Sequence, residues 1–146
     1  MIRPAQINEY DALTQISFKS KGYWNYPKHY FDIWEKELTI SPEYIKKNTV
    51  FVIEKDGLPI GFYSILNLET DVKISDILIP KGYWLDHMFI LPEFIGKGFG
   101  KMLFRHLKET SQELKIEVLN ILADPNSKKF YEKMGCIYIK GVSLNY

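Results

Sequence analysis

The run Trp84 to Leu107, W-L-D-H-M-F-I-L-P-E-F-I-G-K-G-F-G-K-M-L-F-R-H-L, decides the fold. Its apolar, aromatic first part, Trp84 to Leu91, reads as a strand, and Pro92 ends it because proline cannot donate to a sheet ladder. Three alternating glycines follow, Gly96, Gly98 and Gly100. Beyond them Phe99, Met102, Leu103 and Leu107 recur at helical spacing. The order is strand, glycine loop, helix. A helix start offers unpaired N–H groups and the positive end of a dipole, and glycines let a ligand come close to the backbone. Physically this is an anion cradle, most often for phosphate.

Spacing narrows the choice. A P-loop needs a hydroxyl after its Gly-Lys pair, and here Gly100-Lys101 is followed by Met102. The dinucleotide fingerprint G-x-G-x-x-G fails at Lys101, and no later strand carries a ribose-binding acid at the expected distance. What remains, Ile95-Gly96-Lys97-Gly98-Phe99-Gly100, resembles the acetyl-CoA loop [QR]-x-x-G-x-[GA] of the GNAT N-acetyltransferase superfamily. The chain departs from that pattern at Ile95, where the family has Gln or Arg. A second segment, Ala123-Asp124-Pro125-Asn126-Ser127-Lys128-Lys129-Phe130-Tyr131-Glu132-Lys133-Met134-Gly135, is similar to the family's other signature, N-x-x-[AS]-x-x-[FY]-Y-x-x-x-G. Tyr131 and Gly135 match in register; Asp124 stands where asparagine is usual, with Asn126 placed to take over its hydrogen bonding. Two motifs in the right order, with a strand between them, are far more specific than either alone.

Working outward, Ile116, Val118, Leu119, Ile121 and Leu122 read as a buried strand. Asp124-Pro125 is a helix opening, Gly135 a helix stop, and Cys136 to Leu144 a last strand. Upstream, Val50 to Glu54 and Ile60 to Leu68 flank Asp56-Gly57, a strong hairpin signal. Ile74 to Ile79 is either a strand or part of a loop. Ser41-Pro42-Glu43 opens a short helical turn, with serine as cap and proline at the first position. Two helices are expected before it, from Ala5 to Phe18 and from Lys28 to Leu38, after a short edge strand at Ile2-Arg3-Pro4. The expected fold is α/β, with a mixed central sheet of about six to seven strands flanked by about four helices. No composition shift, repeat or linker marks a boundary, so residues 1–146 are expected to form a single domain.

Composition excludes several function classes. The formal net charge of +1, from 19 Lys+Arg against 18 Asp+Glu, gives no bulk attraction to nucleic acid or to an acidic membrane. No apolar run approaches the ~20 residues that span a bilayer, and the first residues lack a signal peptide's apolar stretch. The single Cys136 cannot form an internal disulfide, which fits a reducing cytoplasm, and no His/Cys cluster suggests a metal.

The resemblance implies an acetyl-CoA-dependent transfer to a primary amine of a small molecule or peptide, by direct attack in a ternary complex. It assigns the CoA pyrophosphate to Ile95, Gly96, Lys97, Gly98, Phe99, Gly100 and Lys101, with Asn126 and Tyr131 also at the cofactor. It assigns the pantetheine and the carbonyl to backbone at Phe89 and Ile90. Tyr131 is the expected general acid, since a phenol of pKa near ~10 can protonate a departing thiolate of pKa near ~8.5. For the base, Asp86, His87 and a water relay stay open; strand alternation points the two side chains to opposite faces. Trp24 and Tyr26, in a loop dense in aromatics, are expected to face the acceptor. A monomer or homodimer is expected, and the alternative activity is a CoA-binding module without turnover.

Overall fold

The computed structural model describes residues 1–23, 38–74, 77–121 and 127–137. Five strands form the central sheet in the order β1-β2-β3-β6-β7, where β1 is Ile2–Pro4, β2 Thr49–Lys55, β3 Leu58–Leu68, β6 Gly82–Ile90 and β7 Leu119–Ile121. The first three pairings are antiparallel and β6–β7 is parallel. That switch follows from the connections. Asp56 and Gly57 both adopt positive φ, 54° and 80°, as a tight hairpin turn demands, whereas β6 reaches β7 through a helix. The ambiguous Ile74 to Ile79 stretch is a separate two-stranded hairpin, β4 (Val72–Ile74) with β5 (Ile77–Ile79). Seven strands are thus described, five of them central where six to seven were expected. Of the expected last strand, residues 138–144 lie outside the described residues, as does nearly all of the helix expected from Lys28 to Leu38.

Helices pack on both faces. On one face α1 (Tyr10–Gly22) and α2 (Pro42–Lys47) bury Leu13, Ile16 and Ile45 against Val50, Val52 and Phe62. On the other, α3 (Phe99–Glu113) sets Leu103, Phe104 and Leu107 against Ile53, Tyr63, Ile65 and Leu85, while Met102, expected in the apolar stripe, is exposed. Because β2 and β3 are covered on both sides, each reads as a nearly continuous apolar run. The Ser41 hydroxyl accepts the Tyr44 N–H at 3.0 Å, the cap that the Ser-Pro pair predicts. α4 (Lys128–Lys133) lays Phe130 and Tyr131 on the α3 face and ends at Gly135, whose φ is 96°. Among the described residues no helix is long and apolar enough to cross a membrane.

Candidate active site

The site gathers around the second half of β6 and the start of α3. On one side β6 pairs with β3 from Gly82 through Ile90; on the other, among the described residues, it pairs with β7 at Tyr83, Trp84 and Leu85. From Asp86 to Ile90 that second edge has no strand partner among the described residues. Gly61 permits the close approach of β3 at this point, because a Cβ there would lie 2.7 Å from the Phe89 carbonyl oxygen.

The strand runs on through a 3₁₀ turn, Pro92–Phe94, into the glycine loop. Gly96 and Gly98 have φ of 79° and 88°, left-handed values that other residues rarely hold. A Cβ built on either would meet nothing within 4 Å, so backbone conformation rather than crowding demands glycine, and the space over the loop is open. Gly98 is the N-cap of α3, and its carbonyl takes the first helical bond from the Met102 N–H at 3.2 Å. The N–H groups of Phe99 to Lys101 therefore precede the helical ladder and face outward for an anion. Lys97 and Lys101 are exposed beside them, and Lys97 Nζ stands 5.7 Å from the Phe94 ring centre. The donor set suits a pyrophosphate. Gly100, in contrast, is roofed by Phe130 of α4, 3.4 Å from the position of an added Cβ, so the two signature segments meet at the helix start. Tyr131 packs beside Phe104 and Phe130, with ring centres 6.1 and 5.3 Å away.

Asp86 and His87 are not on opposite faces. The register of β3 against β6 shifts between Ser64 and Ile65: Ser64 faces His87, Ile65 faces Leu85, and Asp86 is the extra residue of a bulge. A bulge breaks the alternation on which the sequence expectation rests. Both side chains consequently lie toward α1 and α2, with His87 Nε2 3.4 Å from Asp86 Oδ2. Their exposures differ: 9% for the His87 side chain and 31% for Asp86. His87 sits among the rings of Tyr44, Phe62 and Phe89. Burial pushes its pKa down, against the opposing pull of Asp86 and with a smaller push from Lys21. Asp86 also accepts a hydrogen bond from the Tyr44 hydroxyl, whose oxygen lies 2.8 Å from Ser64 Oγ. Burial, then the charge of Asp86, raises the Tyr44 pKa far above the ordinary phenol value. Tyr44 and Ser64 escaped sequence reasoning. A serine interrupting the apolar run Ile60–Leu66 was the available signal for Ser64; Tyr44 had none.

The His87 environment gives a pH dependence with a definite sign. A buried neutral imidazole is protonated more readily in the unfolded chain, whose value is ~6.5. Below that pH the unfolded state binds more protons, so stability falls as pH drops below about 6.5 and is untouched above it. Melting curves of the parent should thus steepen their decline from pH ~6.5 to ~5, and those of His87→Gln should not. Each kcal/mol of difference moves the midpoint by about 3 to 5 °C for a chain of this size. Parallel curves would show that burial does not hold His87 neutral.

Trp24 and Tyr26, expected to face the acceptor, and Asn126, expected at the cofactor, lie outside the described residues, as does Asp124.

Residues 46–135 match the family described as Acetyltransferase (GNAT) domain. The chain belongs to the GNAT acetyltransferase family. Among curated proteins it is similar to the peptidyl-lysine N-acetyltransferase YiaC of Escherichia coli, 26% identical over 136 residues, which cover 92% of this chain and 82% of that protein. Among solved structures it shares its fold with the PaiA N-acetyltransferase of Thermoplasma acidophilum, crystallised with coenzyme A. There the TM-score is 0.72 and the identity 19%, over 92% of this chain and 87% of that one. A GNAT acetyltransferase of Brucella melitensis in complex with acetyl-CoA aligns with a TM-score of 0.62 and 20% identity, over 92% and 80% of the two chains. In this GNAT chain β6 leads into the glycine loop through a single 3₁₀ turn.

Proposed function

We propose that the chain transfers the acetyl group of acetyl-CoA to a primary amine, by direct attack while both substrates are bound. The observation that carries this reading is the pair of left-handed glycines, Gly96 and Gly98, that follows β6 and opens α3. When bound, acetyl-CoA supplies a thioester whose acyl carbon the amine attacks and whose sulfur departs. The N–H groups of Gly96 to Lys101 would hold the pyrophosphate, with Lys97 and Lys101 adding charge. The β6 edge at Phe89 and Ile90 would hold the pantetheine arm and orient the carbonyl.

An alkylamine of pKa near ~10.4 arrives protonated, so a base must take that proton. Asp86 is the better placed candidate, since it is the more exposed of the pair and among the described residues no side chain donates to its Oδ1. His87, almost enclosed, lines the wall beside it. Tyr131 holds the proton required by the departing sulfur. For the acceptor, the peptidyl-lysine specificity in the name of the Escherichia coli relative supports a lysine side chain, or a small molecule presenting the same alkylammonium. A reducing cytoplasm, where acetyl-CoA is available, is the fitting compartment for a chain with one cysteine.

Titration with acetyl-CoA should raise the melting temperature, and thiol release should follow addition of lysine peptides or simple alkylamines. Tyr131→Phe should bind acetyl-CoA normally and turn over about 10²- to 10⁴-fold more slowly. No melting shift would remove the acetyl-CoA reading. A shift without turnover on any amine would leave a CoA-binding module.

A further inference from the structure

Tyr44 belongs to α2, 42 residues from Asp86 in sequence, yet its hydroxyl is the donor that holds the bulge carboxylate. A phenol has one hydrogen. With that hydrogen on Asp86, the Ser64 hydroxyl 2.8 Å away must donate to the Tyr44 oxygen. The chain of donors therefore runs Ser64 to Tyr44 to Asp86, and every member has its direction fixed. Ser64 is fully buried, so the chain ends in the core. A proton passed inward along it would have nowhere to go, whereas the 31% exposure of Asp86 gives a taken proton a route to water. The hydroxyls are an anchor and not a relay. They attach α2 to the one residue of β6 that the sheet ladder does not hold, since Asp86 is the unpaired member of the bulge.

We infer that Tyr44 is a positioning residue for the transfer, fixing Asp86 Oδ2 so that the other carboxylate oxygen, Oδ1, faces the incoming ammonium. The inference rests on the reading of Asp86 as the base. Without the Tyr44 hydroxyl, an unpaired bulge residue with rotatable χ1 and χ2 samples several orientations, and a misplacement on the scale of 1 Å at a reacting group can cost about a hundredfold. The group to remove is a single oxygen, and Tyr44→Phe does that while keeping the ring against His87.

The test has two arms. In free protein, the Asp86 carboxyl carbon resonance and the amide exchange of Asp86 and His87 are compared between parent and Tyr44→Phe. The resonance should move and exchange should quicken by at least about tenfold. In turnover, kcat should fall about ten- to a hundredfold, with the Kd for acetyl-CoA and the KM for the amine within twofold of the parent. The variant Asp86→Asn should lose nothing further when Tyr44→Phe is added, because a residue acting through Asp86 has nothing left to position. Unchanged Asp86 signals in the free variant overturn the inference, and so do losses that multiply in the double variant. Failure of the parent itself to bind acetyl-CoA would instead overturn the proposed function, and the free-protein arm would still decide whether Tyr44 positions Asp86.

Discussion

Asp86→Asn should lower kcat by about 10²- to 10⁴-fold, the range that a positioned general base contributes. Asparagine keeps the shape of the side chain and can still accept the Tyr44 hydroxyl hydrogen through its carbonyl oxygen, so the bulge and the packing of α2 are retained. What is lost is the ability to take a proton. Acetyl-CoA affinity should accordingly stay within twofold, since the glycine loop and the β6 edge are untouched. His87→Gln should cost less than about tenfold, because an imidazole only 9% exposed contributes to the wall and not to the proton transfer. The choice of acceptor sharpens the test. An amine of low basicity, already neutral at the assay pH, needs no base to free its lone pair before attack, and with it the gap between parent and Asp86→Asn should shrink. A kcat within threefold of the parent on a strongly basic amine would remove Asp86 as the base and leave the proton to water.

The features legible in the sequence are those whose physics is local. Asp56-Gly57 specifies a turn because both residues tolerate positive φ, and both adopt it. Ser41-Pro42 specifies a helix start through a bond three residues away. The glycine loop was readable because left-handed backbone, helix start and exposed lysines all fall within a few residues. The arrangement of Asp86 and His87 was not readable, because alternation assumes residue-for-residue pairing. Whether a bulge intervenes depends on how β3, some twenty residues upstream, aligns with β6. Tyr44 was invisible for the same reason: its helix was predictable, but its partners Ser64 and Asp86 are brought to it only by the sheet. Sequence thus exposed the conformation of the glycine loop and hid the contacts around Asp86. The loop is written in backbone preferences, the surroundings of Asp86 in tertiary contacts.

Gly98→Val should weaken acetyl-CoA binding by at least about thirtyfold, and a matched substitution separates this from damage to the fold. At φ 88° a side chain costs about 1–2 kcal/mol, and a β-branched one more. The free loop can escape that strain by relaxing, but then the N–H groups of residues 96 to 101 no longer converge, and the ligand must restore the strained form when it binds. At 1.4 kcal/mol per tenfold, strain alone supplies a loss of about five- to thirtyfold, and the valine methyls add to it by occupying the open space over the loop. Gly57→Val makes the ideal partner. Its φ of 80° carries the same backbone penalty, and a Cβ there likewise meets nothing within 4 Å, but it sits in the β2–β3 hairpin turn outside the glycine loop. Gly98→Val, whose free loop relaxes, should therefore lose no more melting temperature than Gly57→Val, while only Gly98→Val loses affinity, as read by calorimetric titration. Equal affinity in both would mean that the left-handed glycines serve the chain's own turn and hold no pyrophosphate.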